Sequence, residues 1–114
     1  MAVIESAPYA DPGQGEITCE AQGNRRAIVW MSGEHDLTTV TGLADTIARA
    51  VAYNDADVIA DLSGVQFMDA STLGVMLRTD QFLRQRSRSL VVRAPSRSAK
   101  RVLDIVDVLT RERV

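Results

Sequence analysis

The amino-acid sequence predicts a single α/β domain built on a mixed, mostly parallel sheet, and three observations predict it. Two strand-like segments near the start are separated by a Gly-Asn turn signal, which indicates an antiparallel hairpin. Helical periodicity then alternates with short apolar runs, so helices should follow the parallel strands through right-handed crossovers. The length of 114 residues fits one core. The domain is expected over residues 16–114, after a flexible tail of residues 1–15.

Composition indicates a globular protein without a disulfide framework. Apolar residues make up 46% of the chain and charged residues 25%, values that are ordinary for such proteins. The single Cys19 excludes an internal disulfide and a cysteine metal site. No apolar run approaches the roughly 18 residues of a membrane span, and the start of the chain lacks the pattern of a signal peptide. A cytoplasmic protein with no cofactor and no direct membrane insertion is therefore expected.

The formal net charge of -2 conceals a strongly basic segment. Between positions 78 and 101, Asp80 is the only acidic residue, and the segment contains eight basic ones: Arg78, Arg84, Arg86, Arg88, Arg93, Arg97, Lys100 and Arg101. The segment is either a solvated face or a docking surface for an acidic partner, on which charge would raise the association rate. Direct nucleic-acid binding is not expected, because aromatic residues are 4% of the chain and the net charge is negative.

The first half of the chain predicts two strands and a helix. The segments EITCEA and RRAIVWMSGE are strand-like, with QGN as their turn and Cys19 as a small packing residue. After GEHDLTT interrupts the second strand, apolar residues recur every three or four positions, which predicts a helix over residues 38–53. Asp36, Thr38 or Thr39 is expected to cap its first turn. The residues expected to face the core are Val40, Leu43, Ala44, Ile47 and Val51.

The second half predicts two more strands and two more helices. VIADL is nearly all apolar, which is typical of a central strand covered on both faces. A helix is predicted from Ser71 to Gln85, and the strand-like LVVRA follows it. A last helix begins after Pro95 with Ser96 as its cap, and TRERV is a short tail. The helical residues expected to face the core are Leu73, Met76, Leu77, Leu83, Ala99, Val102, Leu103 and Val106.

The segment from Gln66 to Thr72 is predicted to be a loop beyond the carboxyl end of a parallel strand, where functional loops concentrate. Within it, a hydroxyl at Ser71 has two physical uses. It can satisfy backbone amides at the start of the helix, or it can accept a phosphoryl group whose charge those amides and the helix dipole would stabilise. Position alone does not separate these uses.

The same segment supplies the residue types of a hydrolase, with Ser71 as nucleophile, His35 as base and Asp69, Asp36 or Asp61 as the orienting acid. The signal is weak, because the Gly-x-Ser-x-Gly motif is missing and the only histidine falls in a turn among charged residues. A surface position is expected for His35. One histidine among scattered carboxylates also lacks the spacing of metal ligands, so no metal site is predicted.

The stretch VIADLSGVQFMDASTLGVML resembles the signature of bacterial anti-sigma-factor antagonists, which are single-domain members of the STAS family. MSGEHDL is similar to the Gly-Glu-Leu-Asp turn of that family, and APSRSAKRVLDIVDVL is similar to its last strand-to-helix segment. The resemblance covers roughly residues 16–110 and preserves the order of the segments. It implies a STAS domain over residues 16–114.

The pattern around the regulated site of that family is Asp-Ser-Ser-Gly-Leu-Gly, and its second serine falls on Ser71. Ala70 and Thr72 stand where the family has serine and glycine, so Thr72 would narrow the choice of kinase or act as a second acceptor. The resemblance implies a partner-binding site of Asp36, Asp69, Ala70, Ser71, Thr72, Leu73 and Gly74.

A partner switch is what the resemblance implies. The unmodified antagonist would bind an anti-sigma factor with serine kinase activity and release a sigma factor, whereas phosphorylation at Ser71 would block binding. A serine phosphatase would reset the switch, so the protein would be the substrate of enzymes and not itself an enzyme. The alternative is an unmodified STAS adaptor, a docking subunit of a signalling assembly or of a membrane lipid transporter.

Overall fold

In the part of the chain that the structure describes, six strands form one sheet in the order of the chain, and three helices connect them. The computed structural model describes residues 2–6, 15–21, 26–53, 55–105 and 109–111. The strands are β1 (Ala2–Ser6), β2 (Glu16–Ala21), β3 (Ala27–His35), β4 (Val58–Met68), β5 (Leu90–Arg93) and β6 (Thr110–Arg111). The helices are α1 (Val40–Tyr53), α2 (Ala70–Arg84) and α3 (Arg97–Leu103).

The predicted pairing of the strands is confirmed. Strands β2 and β3 form an antiparallel hairpin in which Glu16 faces Ser32 and Ala21 faces Ala27. Strands β3, β4 and β5 then run parallel to one another. The QGN turn of the hairpin lies outside the described residues.

Both ends of the sheet differ from the prediction. Strand β1 pairs antiparallel with β2 at Ala2–Ser6, where the sequence predicts a flexible tail, and residues 7–14 lie outside the described residues. Strand β6 pairs with β5, where TRERV is predicted to be only a tail. Each short strand satisfies backbone groups that would otherwise be unpaired at the edge of the sheet, which favours pairing despite a weak local signal.

The three helices pack on one face of the sheet around a common apolar core. Helix α1 contributes Leu43 and Ile47, α2 contributes Met76 and Leu83, and α3 contributes Leu103, as predicted. This arrangement follows from the strand order, because neighbouring parallel strands in sequence order place successive crossovers on the same face. Other inward predictions differ: Ala44 is exposed, and Val106 lies outside the described residues.

On the opposite face of the sheet, three side chains at the centre are buried and form a second apolar cluster. They are the cross-strand neighbours Ile28, Ile59 and Val91. The prediction that the VIADL strand is covered on both faces is therefore confirmed. Two residues beyond Ile59 on the same strand, Asp61 accepts a hydrogen bond from Arg93 at 2.8 Å. The Arg93 guanidinium in turn stacks 4.8 Å from the centre of the Trp30 ring.

Several residues of the basic segment hold elements together instead of forming a free face. Arg84 pairs with the buried Asp80 at 2.6 Å, and the same carboxylate accepts a hydrogen bond from the amide of Leu90. Arg88 donates to the carbonyl oxygens of Val51 and Ala56, at the carboxyl end of α1. These contacts join the ends of α1 and α2 to the sheet, so only part of the basic segment is available to a partner.

Candidate functional site

A single residue connects β4 to α2. The strand continues through Met68 and the helix starts at Ala70, which leaves only Asp69 between them. The prediction of a loop over residues 66–72 is therefore wrong. The strand is longer because it keeps a parallel partner: Phe67 pairs with Glu34 and Met68 with His35 at the end of β3.

Asp69 is the cap of α2. Its carboxylate oxygen Oδ1 accepts hydrogen bonds from the amides of Ser71, at 3.0 Å, and Thr72, at 3.2 Å. The hydroxyl of Ser71 donates to the same oxygen at 2.5 Å. Capping is the role that the sequence allows for Ser71, but the structure gives it to Asp69. Ser71 is partly exposed and held by a hydrogen bond to the cap.

This turn recurs twice elsewhere in the chain, in one Asp-x-Thr and one Asp-x-Ser triplet. Asp36 accepts from the amide and hydroxyl of Thr38 at 2.8 and 2.5 Å. Asp61 accepts from the amide and hydroxyl of Ser63 at 3.0 and 2.6 Å. Of these three hydroxyl residues, Ser71 alone lies in the first turn of a helix. Its position, and not its local hydrogen bonds, sets it apart.

The structure brings Asp36 and Asp69 to the same edge of the sheet. The amide of Asp69 donates to the carbonyl of His35 at 3.2 Å, and Asp36 is the next residue. Gly33 has a φ of 78°, a left-handed conformation that favours glycine, and the register of β3 against β4 shifts after it. Hydrogen bonds from the Thr38 side chain and amide hold the pKa of Asp36 below its ordinary value. Asp36 therefore directly follows the residue to which the cap of α2 is hydrogen-bonded.

The other residues of the predicted partner-binding site differ in exposure. Ala70 is exposed and Gly74 is partly exposed. Leu73 is 7% exposed and belongs to the apolar core, while Thr72 is fully buried. Thr72 is therefore not presented as a second phosphate acceptor. Its hydroxyl oxygen has no hydrogen-bond partner among the described residues, which is unusual for a buried polar group.

His35 is buried, so the expectation of a surface position is wrong. Its ring nitrogens contact the carbonyl of Ser32 at 2.9 Å and the hydroxyl of Thr39 at 3.2 Å. Burial lowers the pKa of the imidazole and outweighs the nearby hydrogen-bond acceptors. The histidine is engaged away from Ser71, whose own partner is Asp69, so the geometry does not form the nucleophile–base pair of a hydrolase.

Two apolar side chains near this edge are exposed, which the sequence pattern did not predict. Leu37, in the turn after Asp36, is 75% exposed, and Phe67 of β4 is 48% exposed. Singly exposed apolar side chains are ordinary on protein surfaces, so these two matter here only because of their position at this end of the sheet. The sequence gives one indication of this exposure. Leu37 is a single leucine within the polar segment HDLTT, and it does not belong to the apolar spacing of the helix that follows.

Other site chemistries have little support within the part of the chain that the structure describes. The described residues include no group of three or more His, Cys, Asp or Glu side chains that could hold a metal ion. None of the described helices is long and apolar enough to cross a membrane. Cys19 is buried, and burial raises the pKa of its thiol to about 11, which suppresses the reactive thiolate at neutral pH.

The fold and this site define a STAS domain. The STAS domain family model matches residues 18–112, and the chain belongs to this family. Among curated relatives, the anti-sigma-F factor antagonist RsfB of Mycobacterium tuberculosis is 32% identical over 65 residues, which are 57% of this chain. The match spans only 53% of that relative's length.

Solved structures share the fold over nearly the whole chain. An anti-sigma factor antagonist from Mycobacterium paratuberculosis superimposes with a TM-score of 0.77 at 22% identity, and the match covers 92% of this chain and 91% of the other. The antagonist SpoIIAA in its unphosphorylated form gives a TM-score of 0.70 at 18% identity, covering 85% and 88% of the two chains. At these identities the likeness establishes the fold.

Proposed function

We propose that this STAS domain is an anti-sigma-factor antagonist whose binding to its anti-sigma factor is controlled by phosphorylation of Ser71. The observation that carries the proposal is the placement of the Ser71 hydroxyl. It is partly exposed in the first turn of α2, and it lies 2.5 Å from the carboxylate of Asp69. The names of the curated relatives and structural neighbours support the same function.

The unmodified protein presents a surface of mixed chemistry at this edge. Leu37 and Phe67 supply apolar area, which a partner would bury. Asp36 and Asp69 supply carboxylates for polar contacts around that area. Both are already supported by hydrogen bonds within the chain, so binding would not require them to be reorganised.

Phosphorylation of Ser71 would change this surface in two ways. The hydroxyl would lose the proton that it donates to Asp69, and about 1.5 to 2 negative charges would be added beside that carboxylate. The sequence alone suggests that amides at the start of the helix would soften this charge. In the structure, the amides of Ser71 and Thr72 already donate to Asp69, so the phosphate has to compete for them.

The expected penalty is large enough for a switch. In a complex, the phosphate would be brought out of water next to two carboxylates, and both repulsion and desolvation oppose binding. A penalty of about 3 kcal/mol weakens binding on the order of a hundredfold, since about 1.4 kcal/mol corresponds to a factor of ten. No change of fold is needed to reach that magnitude.

The proposed partners follow from this mechanism. An anti-sigma factor with serine kinase activity would bind and phosphorylate the domain, and a serine phosphatase would remove the phosphate. The domain itself would act as a substrate and binding protein, without catalysis of its own. Release of the sigma factor would follow from competition for the anti-sigma factor.

The test uses a matched pair of charge substitutions. Tagged wild-type, Ser71→Glu and Ser63→Glu proteins serve as baits in lysate of the source organism, with quantitative mass spectrometry of the retained proteins. Ser63 is the control because it is exposed and has the same hydrogen bonds to an aspartate, yet it lies within a strand. The proposal predicts that an ATP-binding anti-sigma factor is retained by wild type and Ser63→Glu, and lost from Ser71→Glu.

Equal retention by all three baits would instead favour the constitutive adaptor. A kinase assay addresses the modification itself. With the retained kinase and ATP, wild type and Ser63→Ala should gain the mass of one phosphate, and Ser71→Ala should gain none. Undiminished phosphorylation of Ser71→Ala would show that the site has been assigned to the wrong residue.

A further inference from the structure

An open groove of about 930 Å³ lies between α1 and α2. Ile47, Val51 and Val75 provide apolar lining, and the half-exposed Phe82 and Tyr53 stand at its side. Helix α1 borders it with the small side chains of residues 44, 48 and 52, which keep the groove wide. Ala44, which the sequence places in the core, is one of these exposed residues.

The length of the groove matches a short helix. Its lining extends along α1 from Ala44 to Tyr53 and along α2 from Val75 to Phe82. At about 1.5 Å of rise per residue, these spans are about 10 to 14 Å, or two to three helical turns. A helix laid between α1 and α2 would therefore contact the groove through apolar residues spaced three, four and seven positions apart.

The charges around the groove are mostly positive. Arg78 and Arg86 are exposed on the α2 side, and the Arg86 guanidinium lies 3.7 Å from the centre of the Phe82 ring. Arg88 lines the groove as well, although its guanidinium already donates to backbone carbonyls. Asp55 is the one carboxylate among the described lining residues. The surroundings therefore favour an acidic occupant.

We propose that this groove binds an acidic amphipathic helix of a partner protein. Apolar side chains on one face of that helix would pack against Val51 and Phe82. Carboxylates on the flanks would pair with Arg78 and Arg86, where planar guanidinium groups bind carboxylates in a bidentate manner. The docking interpretation of the basic segment thus applies to these arginines, and not to the whole segment.

The groove is close to the proposed switch but does not depend on it. Val75 follows Ser71 by four residues, so the groove begins one helical turn from that serine and on the same face of α2. The unmodified protein is expected to bind the acidic helix, so this inference requires no phosphate on Ser71. A failure of Ser71 phosphorylation would leave this inference standing, and the converse also holds.

The test is a titration of the ¹⁵N-labelled full chain with synthetic helical peptides of about 15 residues, near the shortest length at which isolated helices are stable. One peptide carries leucines at helical spacing with flanking glutamates, and its matched control replaces each glutamate by lysine. We expect amide shifts at groove residues with the glutamate peptide, binding at least about tenfold weaker for the lysine peptide, and loss of affinity as salt is raised.

Protein variants locate the site. Combined Arg78→Glu and Arg86→Glu should weaken the glutamate peptide at least about tenfold, a change of about 1.4 kcal/mol. Arg101→Glu, an exposed position on α3 outside the groove, should leave its affinity unchanged. Retained dispersion of the amide spectrum establishes that each variant is folded.

Four results would overturn the proposal. Equal binding of both peptides would remove the charge argument, and shifts confined to other elements would remove the site. Concentration-dependent shifts of the same residues without peptide would identify a second copy of this chain as the occupant. Saturating shifts with dodecanoate, without any response to the glutamate peptide, would identify an anionic amphiphile instead.

Discussion

Asp69 shows how one carboxylate supports both the fold and the proposed switch. It caps α2 through two backbone amides, and it accepts the hydrogen bond of the Ser71 hydroxyl. Structural and functional demands therefore fall on the same oxygen atom. Substitutions at this position have to separate the cap from the charge.

The cap is tested by Asp69→Ala and Asp69→Asn. We expect Asp69→Ala to lower the free energy of unfolding by about 1 kcal/mol, because the amides of Ser71 and Thr72 lose their acceptor. Asparagine keeps an acceptor oxygen and is a comparable cap, so Asp69→Asn should cost only a few tenths of that amount. Urea denaturation measures both. Equal losses for the two variants would mean that charge, and not capping, is what Asp69 contributes.

The orphan hydroxyl of Thr72 predicts a stabilising substitution. Thr72→Val keeps the branched shape and removes a buried oxygen that has no partner among the described residues. Such an oxygen costs about 1 to 3 kcal/mol of desolvation, so the variant should unfold at higher urea concentration. Thr79→Val is the control, because the Thr79 hydroxyl donates to the carbonyl of Val75 at 2.8 Å. A loss of stability in Thr72→Val as large as that in the control would contradict the assignment.

Burial of His35 predicts a pH dependence of stability. Its pKa in the folded protein is lowered, so the unfolded chain takes up the proton first as the pH falls. Stability should be fully present above the unfolded pKa of about 6.5 and decrease below it, by at most about 1.4 kcal/mol per pH unit. Carboxylates, with ordinary pKa values of about 4, titrate below this window. His35 is the only histidine, so a His35→Gln variant that retains the slope would exclude it as the source.

At the scale of the elements, the length of β4 determines where the site lies. Local pattern predicts the apolar start of this strand, but not its continuation through Gln66 and Phe67, which are exposed. That continuation depends on the parallel partner that β3 provides, and a partner distant in sequence leaves little local signal. The start and end of α2, in contrast, are predicted within one residue. Both depend on local features, which are the spacing of apolar residues and the charged segment that follows them.

Two glycines in these elements should respond oppositely to alanine. A Cβ atom at Gly64 of β4 would lie 2.8 Å from the Ser32 side chain and 3.3 Å from its Cα, so Gly64→Ala should cost about 1 to 3 kcal/mol. At Gly74 of α2 the nearest contact is the movable end of Arg78, at 3.2 Å. Gly74→Ala should stabilise the helix by up to about 1 kcal/mol. Thermal unfolding compares them, and a shift of both variants in the same direction would be inconsistent with this packing.

At the scale of the whole molecule, the alternation of strand and helix patterns predicts the order of the central elements and the face on which the helices pack. Those features follow from residue spacing and from the short connections between neighbouring strands. The contacts that join distant segments were not predictable in this way. The burial of His35, the Asp61–Arg93 pair and the anchoring of Arg88 at the end of α1 all depend on tertiary packing.

The candidate site was predicted in part, and the source of each part differs. The resemblance to anti-sigma-factor antagonists indicated Ser71, Asp69 and Asp36, and the structure places Asp36 and Asp69 at one edge of the sheet. The assignment of the cap to Asp69 required the three-dimensional structure, because Ser71 and Asp69 are both suitable residue types for that role. The exposure of Leu37 is established by the structure.

The pairing of β1 with β2 predicts that the first strand belongs to the domain. Removal of residues 1–14 should lower the urea midpoint, because β2 would become an unpaired edge. Replacing those residues by a glycine-serine linker of equal length is the control for chain length, and it should be destabilised as well. If both variants unfold at the wild-type midpoint, β1 contributes nothing to stability and the boundary at residue 16 is the better description.

The single-residue connection at Asp69 also bears on how quickly a signal could be read. A flexible loop at this point would have to change conformation after each chemical change. A strand that passes directly into a helix has no loop backbone that could rearrange. Under the proposed function, the regulatory state of the domain would be held in the covalent phosphate on Ser71. The partner would then distinguish the two states without a slow conformational change of the domain. The lifetime of each state would be set by the rates of the kinase and the phosphatase.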